Sequence, residues 1–269
     1  MARVRPGEAA NPAPPTVQRI RVRFAKRGRL RFLSHRDVAR SVERAVRRAG
    51  IPVAHSHGFS PHPRLSWIGA APTGSASEAE YMEIGLTRPL DPAELAAALD
   101  AALPDGLDVL AAAVAEGTPL AERIDASEWR IELPDVAPDA LARALTALEG
   151  ADTVVVERVT PSGRRQIDVR AAVVRLTVDE GPSGSVSDDP PDVTRSRLPL
   201  PAPVCAIMTA VVRQTTPAVR PDDVLGALDV VAGLKPPVPA KATRTAQGLL
   251  DDRGRLTDPL GPERVTTRI

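Results

Sequence analysis

Residues 29–64 of the chain read RLRFLSHRDVARSVERAVRRAGIPVAHSHGFSPHPR. Ser34 and Asp37 have the spacing of a capping box, which predicts that a helix begins at this point. Apolar residues then recur three and four positions apart, and Gly50 followed by Pro52 marks the end of the helix. We therefore predict a helix over residues 35–49.

The outer face of this predicted helix carries a row of arginines. Arg36, Arg40, Arg44 and Arg47 recur at intervals of three and four residues, so they share one side of the helix. Most rows of this kind are solvated charged faces. However, residues 18–70 contain thirteen Lys and Arg against two acidic residues, a net charge of +11, whereas residues 71–269 carry −11. Such an uneven charge favours a polyanion as the ligand of the basic part.

A proline-stiffened loop is predicted to follow the helix. Gly58, Pro61 and Pro63 exclude a helix or a central strand there. Loops that carry aromatic, histidine and arginine side chains are common places for ligand contacts, and this one carries all three types. Two interpretations stay open, because Phe59 can belong to a recognition tip or can plug the core of the domain.

All four histidines lie in the same stretch, namely His35, His55, His57 and His62. On a strand, His55 and His57 would point to the same side, as a zinc site requires. A structural zinc site usually includes thiolates and a catalytic one a carboxylate beside the histidines, and the positive charge of this segment disfavours a cation. We therefore predict no metal site and no cofactor.

Three motifs together resemble a known protein family. They are LRFLSHRD from Leu30, GFSPHPRLS from Gly58 and SEAEYMEI from Ser77. The chain is similar, most densely over residues 19–115, to an uncharacterised bacterial family linked to radical S-adenosylmethionine (radical SAM) proteins. The resemblance implies a domain that works as part of such an enzyme or beside it. His57 stands where the family usually has Gln, so the resemblance implies no essential role for His57.

Several catalytic motifs are missing from the sequence. Cys205 is the single cysteine, so the chain cannot hold the three-cysteine cluster that starts radical chemistry, and no disulfide can form within it. Walker-type loops, Gly-x-Ser-x-Gly elbows and His-Glu-x-x-His helices are also missing. A free cysteine, together with the lack of a signal region and of any long apolar run, predicts a cytoplasmic protein without a membrane partner.

Hydrophobic periodicity predicts the elements around the helix. Ile20, Val22 and Phe24 alternate with arginines, which indicates a half-buried strand with the arginines on its open face. Further strands are predicted at residues 30–33, 65–70, 80–86 and 107–115, and a second helix begins at Asp91. The resulting β-α-β-β-α-β order is typical of a ferredoxin-like sandwich.

The second half repeats this plan. Its predicted strands are 129–133, 153–159, 166–178, 204–213 and 242–249, and its predicted helices are 139–148 and 222–231. The fold class is therefore α+β, with two ferredoxin-like (βαββαβ) units whose sheets are antiparallel. We predict a flexible lead (1–17), a first domain (18–118), a second domain (119–250) with a disordered loop at 180–203, and a flexible tail (251–269).

The function favoured by these observations is that of a non-catalytic RNA-binding accessory module. It would act with a separate radical-SAM enzyme in the modification or processing of ribosomal or transfer RNA. The predicted RNA contacts are Arg29, Arg31, Arg36, Arg40, Arg44, Arg47, Phe59, His62 and Arg64. Phe59 or Trp67 could stack on an unpaired base.

Two alternatives remain at this point. One is a metal-independent RNA-cleaving or RNA-modifying enzyme in which His35 or His62 serves as general acid or base. The other is a protein-interaction subunit that binds an acidic partner without RNA.

Overall fold

The structure, a computed structural model, describes residues 14–57, 59–160, 163–179, 204–261 and 265–266. It divides the chain into two units, of which the first is Met1–Asp125 with Arg244–Ile269 and the second is Ala126–Thr243. Four α-helices and mainly antiparallel strands occur in these ranges, so the fold class is α+β. Residues 1–13 of the expected lead (1–17), the expected loop at 180–203, residues 262–264 and 267–269 of the expected tail, and Gly58 lie outside the described residues.

An antiparallel sheet with two helices forms the first unit. Its elements in chain order are β1 (Gln18–Lys26), α1 (His35–Arg48), β2 (Leu65–Ile68), β3 (Ala76–Leu86), α2 (Pro92–Asp100) and β4 (Val109–Val114). Strand β1 lies between β4 and β3, and β2 pairs with the second half of β3. The neighbouring strands are therefore ordered β4-β1-β3-β2.

Helices α1 and α2 cover one face of this sheet because the alternation along β1 turns its apolar side chains toward them. Ile20, Val22 and Phe24 are almost completely buried and belong to one cluster with Val42 of α1 and Leu95 of α2. The burial of this cluster is the main source of stability for the helices, since isolated helices of this length are marginal in water.

The beginning and end of α1 agree with the sequence signals. The Ser34 hydroxyl oxygen accepts from the Asp37 backbone N–H at 3.3 Å, and the hydroxyl donates to the Asp37 carboxylate at 2.6 Å. Asp37 therefore binds the Ser34 side chain, whereas an ideal capping box would have it accept from the Ser34 amide. The helix ends before Gly50, whose φ of 64° is left-handed.

The prediction of a strand at residues 30–33 is wrong. These residues belong mainly to a short 3₁₀ helix, Gly28–Phe32, that leads into α1. Its hydrogen bonds run from Leu30 N–H to Arg27 O and from Leu33 N–H to Leu30 O, each 3.0 Å long. Four residues are too few for hydrophobic spacing to separate a strand from a helical turn.

The prediction that the β1 arginines lie on an open face is wrong for Arg21 and Arg23. Arg21 is only 3% exposed, and its guanidinium contacts Glu83 at 2.9 Å and the Thr118 carbonyl oxygen at 2.6 Å. Arg23 is half-buried and donates to the Glu78 carbonyl oxygen. A second apolar cluster covers this face of the sheet, and its members are Ala79, Tyr81, Ala111, Ala113, Leu120, Ile124 and Leu260. Arg19 alone of the three is exposed.

The end of the chain also belongs to the first unit. Strand β10 (Lys241–Gly248), which belongs to this unit from Arg244 onward, follows β3 in the strand order, and β11 (Val265–Thr266) pairs with β4. Arg244 is 3% exposed and binds Glu80, the Ser77 hydroxyl and the Gly69 carbonyl oxygen. These buried bonds connect residues far apart in the sequence.

Residues 251–261, from the segment expected to be a flexible tail, make contacts with the first unit. Leu260 is only 5% exposed, and the Pro259 carbonyl oxygen accepts from Arg123 at 3.2 Å. A polar segment with few apolar residues shows no periodicity, so the sequence carried no signal for this packing.

The second unit contains a three-stranded sheet, a separate hairpin and two helices. Its elements are β5 (Ala126–Pro134), α3 (Pro138–Glu149), β6 (Val155–Thr160), β7 (Gly163–Asp168), β8 (Val173–Asp179), β9 (Cys205–Arg213) and α4 (Pro221–Ala232). Strand β9 pairs with both β5 and β8, whereas β6 and β7 pair only with each other among the described strands. The predicted strand 166–178 is therefore two strands, because a turn at residues 169–172 interrupts it.

Candidate functional site

The arginine row on α1 faces away from the core. Arg36, Arg40, Arg44 and Arg47 are all exposed, because the opposite side of the helix carries the buried valines and alanines. Within the described part of the chain, the only salt bridge of this row joins Arg40 to Asp37 at 3.8 Å. The row therefore presents cationic groups that few carboxylates neutralise.

Asp37 lies at the N-terminal end of the row. Its pKa is lowered chiefly by the hydrogen bond from the Ser34 hydroxyl, and Arg40 and Arg36 lower it further through their charges. A carboxylate in the first turn also interacts favourably with the helix dipole. Asp37 thus stabilises the start of the helix, where its carboxylate binds the Ser34 hydroxyl.

Part of the positive charge of residues 18–70 is neutralised by later residues. Arg27 binds Glu78 and Asp108, and the hydrogen bond to Glu78 is the largest cause of a raised pKa for Arg27. Arg21 is paired with Glu83 in the same way. The excess charge is therefore concentrated on Arg19, Arg29, the α1 row and Arg64, which are exposed.

The loop after α1 is a short hairpin, which we call the hairpin loop (residues 53–57 and 59–64). Ser56 N–H donates to His62 O at 2.8 Å, and Arg64 N–H donates to Ala54 O at 2.7 Å. The hairpin is anchored to the sheet at Gly85, which donates to Arg64 O at 2.9 Å and accepts from Ala54 N–H at 2.7 Å. These bonds position the side chains of the hairpin loop relative to β3.

Phe59 projects from the end of the hairpin loop with its side chain 100% exposed. It therefore does not plug the core. His62 and Arg64 are also exposed, and Arg64 Nε donates to His55 O at 3.3 Å. The loop thus presents an aromatic ring, an imidazole and a guanidinium within six residues.

A groove of about 340 Å³ lies on the side of the sheet opposite the helices. The loop contributes His62 and Arg64, while Arg19 comes from β1 and Glu83 from β3. The remaining lining residues are Thr16, Ser56, Pro63, Leu65, Ser66 and Gly85. The groove brings together two of the predicted contact residues, His62 and Arg64, with residues that sequence patterns did not indicate.

The histidines do not form a common centre. The His35 ring lies edge-on to Trp67 with centroids 5.3 Å apart, and Trp67 in turn lies 6.0 Å from Phe24. Trp67 pairs with the core residue Met82, whereas its neighbour Ser66 lines the groove, so these two side chains lie on opposite faces of the sheet. His35 is therefore on the helix side and His62 on the groove side, an arrangement that does not provide a His35–His62 acid–base pair.

Trp67 is half-buried, and its contacts with Phe24 and His35 occupy two sides of the indole. It is consequently a less suitable stacking platform than we expected from the sequence. In the described ranges, no group of three or more His, Cys, Asp or Glu side chains is placed to hold a metal ion.

The remaining predicted contacts lie in the 3₁₀ helix before α1. Arg29 is exposed, and Arg31 is half-buried with its Nε donating to Gly28 O at 3.2 Å. Between Arg31 and α1, Phe32 is 67% exposed. The sequence analysis did not single out Phe32, because it expected residues 30–33 to form a strand.

Arg19 and Glu83 were missed for a different reason. The register pairs Arg19 with Gly85, and Gly85 binds the hairpin loop, so Arg19 and Arg64 meet only after the sheet has formed. No local sequence pattern predicts that Arg19 and Arg64 lie close together.

The model of the family described as "Uncharacterized protein conserved in bacteria (DUF2344)" matches residues 19–221 of the chain. The match includes the arginine row, the hairpin loop and the groove residues from Arg19 onward. No curated protein matches the chain. No helix within the described ranges is long and apolar enough to cross a membrane.

Proposed function

Since the chain belongs to this family of uncharacterised proteins conserved in bacteria, we propose that its first unit is a non-catalytic RNA-binding module that acts beside a separate enzyme. The observation that carries the proposal is the arginine row of α1. Arg36, Arg44 and Arg47 are exposed and have no carboxylate within 4.0 Å among the described residues. Arginine offers paired donors to phosphate oxygens, and a row of arginines matches a chain of phosphates.

The hairpin loop supports single-stranded RNA as the form that is bound. Unpaired bases stack on exposed aromatic rings, and Phe59 provides such a ring at the end of an anchored loop. Phe32, beside Arg29 and Arg31, provides a second exposed ring. A duplex, whose bases are already stacked, would not use either ring.

We include a radical-SAM enzyme as the partner, in line with the motif resemblance. The chain has one cysteine, the exposed Cys205, so the cluster that starts radical chemistry would be held outside these 269 residues. A free thiol also fits a reducing compartment, and we place the protein in the cytoplasm. Co-purification of the two chains from a bacterial lysate, with and without ribonuclease, tests this part of the proposal.

We also infer that the units are ferredoxin-like. In the first unit this inference is supported by the succession β1-α1-β2-β3-α2-β4 and by the strand order β4-β1-β3-β2. In the second unit it is supported by β5-α3-β8-β9-α4, with the β6–β7 hairpin inserted after α3. An experimental structure of the chain tests the inference.

The binding experiment is a charge reversal of the row, Arg40→Glu, Arg44→Glu and Arg47→Glu together. We expect weaker binding of single-stranded RNA and a smaller dependence of the affinity on salt. Each lost phosphate contact reduces the slope of log affinity against log salt by about 0.7, so three lost contacts reduce it by roughly 2. Fluorescence anisotropy at several salt concentrations measures both quantities.

A matched control reverses three exposed arginines outside the row, namely Arg88, Arg143 and Arg253. It makes the same change in net charge, and we expect RNA affinity to fall much less. If the two triple variants lose affinity equally, the row is not the binding surface. If neither the wild type nor the control binds RNA, while an acidic protein partner is captured through the row, the module binds protein instead.

A further inference from the structure

The groove beside the hairpin loop contains more positive charge than its own carboxylate can neutralise. Arg19 and Arg64 both line it, and neither forms a salt bridge with a described residue. Glu83, the carboxylate in the lining, already accepts from the buried Arg21 at 2.9 Å. The charges of Glu83 and Arg21 therefore neutralise each other, whereas the positive charges of Arg19 and Arg64 are not neutralised by a described carboxylate.

The same groove contains hydroxyl groups suited to an oxyanion. Ser56 Oγ accepts from the His62 backbone N–H at 3.0 Å, so the hydroxyl hydrogen of Ser56 stays available as a donor. Ser66 adds a second hydroxyl to the lining. Glu83 lies among these donors and supplies an acceptor with 16% of its side chain exposed.

We propose that this groove binds the terminal nucleotide of an RNA strand through its end phosphate. A terminal phosphate carries a charge of about −1.5 to −2 at neutral pH, whereas a phosphate inside the chain carries −1. Two unneutralised arginines match the terminal group better, because each can donate two parallel hydrogen bonds to it. The inference rests on the proposed RNA binding and adds the part of the RNA that is recognised.

The dimensions of the groove agree with this assignment. Its volume of about 340 Å³ is at the small end of the range of roughly 300–1,000 Å³ found for small-molecule sites. Gly85 lies under Thr16 and Arg64, since a Cβ added there would lie 3.2 Å from Thr16 and 3.3 Å from Arg64. Thr16 and Arg64 therefore cover Gly85 in the groove.

The remaining groups account for the nucleoside. The Glu83 carboxylate can accept from a ribose hydroxyl, a group that distinguishes RNA from DNA. Phe59 extends beyond the groove at the end of the same hairpin loop and is available to the next base. The terminal phosphate and the first bases would then be bound by one loop and the strands behind it.

The test compares one single-stranded RNA sequence with a 5′-phosphate, with a 3′-phosphate and with hydroxyl groups at both ends. We expect one phosphorylated form to bind the wild type about tenfold or more tightly than the hydroxyl form, as charge-assisted hydrogen bonds would produce. The form that gains affinity identifies the end. Equal affinity for the three forms would overturn the proposal.

Variants assign the effect to the groove. In Arg19→Ala with Arg64→Ala, the preference for the phosphorylated end should fall to less than about twofold, because both cationic groups are lost. Arg64→Lys should retain part of the preference for the phosphorylated end, because lysine keeps the positive charge but lacks the paired donors. Arg88→Ala, an exposed arginine outside the groove and the row, should retain all of it. A full preference in the double variant would place the phosphate elsewhere and overturn the proposal.

Calorimetric titration with a nucleoside monophosphate alone separates this inference from the proposed function. If the wild type binds the mononucleotide and the Arg19→Ala, Arg64→Ala double variant does not, the groove is a phosphate site. If longer RNA fails to bind in the same experiment, only the proposed RNA-binding function is rejected. Salt-dependent RNA binding through the α1 row with no effect of the end phosphate leaves the RNA proposal standing and eliminates the groove as an end site.

Discussion

Phe59 is a large apolar side chain that is fully exposed at the end of the hairpin loop. We expect Phe59→Ala to change the free energy of unfolding by no more than about 0.5 kcal/mol, as surface substitutions do. If the ring stacks on a base, the same variant should lose about 1–3 kcal/mol of RNA affinity. Thermal melting and fluorescence anisotropy measure the two quantities. Phe24→Ala, in the core, is the contrast, and it should cost about 3–5 kcal/mol of stability.

One combination of results would contradict this prediction for Phe59. A large decrease in melting temperature for Phe59→Ala, with unchanged RNA affinity per folded molecule, would show that the ring packs inside the protein.

Asp37 makes the stability of α1 depend on pH. Its pKa in the folded protein lies below the ordinary value of 3.8, so folding favours the carboxylate. The resulting stabilisation is fully present above that ordinary value and is lost as the pH falls through the folded-state pKa. Asp37→Asn should therefore melt at a lower temperature than the wild type at pH 7, and the difference should shrink as the pH falls below 3.8.

Melting curves at several pH values measure this difference, with the exposed Asp252→Asn as a control that should melt like the wild type throughout. A difference between Asp37→Asn and the wild type that stays constant from neutral to acidic pH would show that the charge of Asp37 does not stabilise the helix.

At the scale of elements, the buried contact between β3 and the end of the chain depends on charge. Glu80 and Arg244 form a salt bridge in which both side chains are less than 10% exposed. Lys26, 2% exposed nearby, has a lowered pKa because of its burial, while the charge of Glu80 opposes that shift. Glu80→Gln should destabilise the protein by about 3–5 kcal/mol, since it leaves the buried guanidinium without its carboxylate.

Chemical denaturation of Glu80→Gln, Arg244→Met and the double variant measures the coupling. The double variant should recover part of the loss because no buried charge of the pair remains unmatched. Glu157→Gln provides the comparison at the exposed pair with Arg164, and it should cost no more than about 1 kcal/mol. Equal costs for Glu80→Gln and Glu157→Gln would contradict the assigned role of the buried pair.

The elements that could be predicted are those with local signals. Helix α1 has a cap, a periodic apolar face and a glycine stop within seventeen residues, so its bounds differ from the prediction by a single residue. The covering of Arg21 could not be foreseen, because its partner Thr118 is 97 positions away in the sequence. Arg19 and Arg64 likewise required the strand register before they could be placed in one groove.

At the scale of the whole molecule, the first unit is formed by two separate parts of the chain. A chain that ends at Asp125 lacks Arg244, Gln247 and Leu260, which are buried against residues before position 125. Glu80 would lose its partner, and part of the second apolar cluster would be exposed. We expect this truncated chain to unfold at a much lower urea concentration than the intact protein.

The control for the truncation joins Asp125 to Arg244 through a Gly/Ser linker. Asp125 N–H donates to Gly248 O at 3.0 Å, and four residues of strand cover about 13 Å, so a linker of roughly ten residues is long enough. This version should regain most of the lost stability. If the two versions unfold at the same urea concentration, the end of the chain does not complete the first unit.

The bonds of Arg244 also impose an order on biosynthesis. Arg244 binds Ser77, which lies 167 positions earlier in the sequence. At elongation rates of about 5–20 residues per second, Ser77 is made roughly 8–33 s before its partner. Once Glu80 has been made, the nascent chain presents it without Arg244, and residues 126–243 are all synthesised before Arg244 is added. The unit whose synthesis begins first is thus completed last, and a chain whose synthesis stops before Arg244 would contain an incomplete first unit.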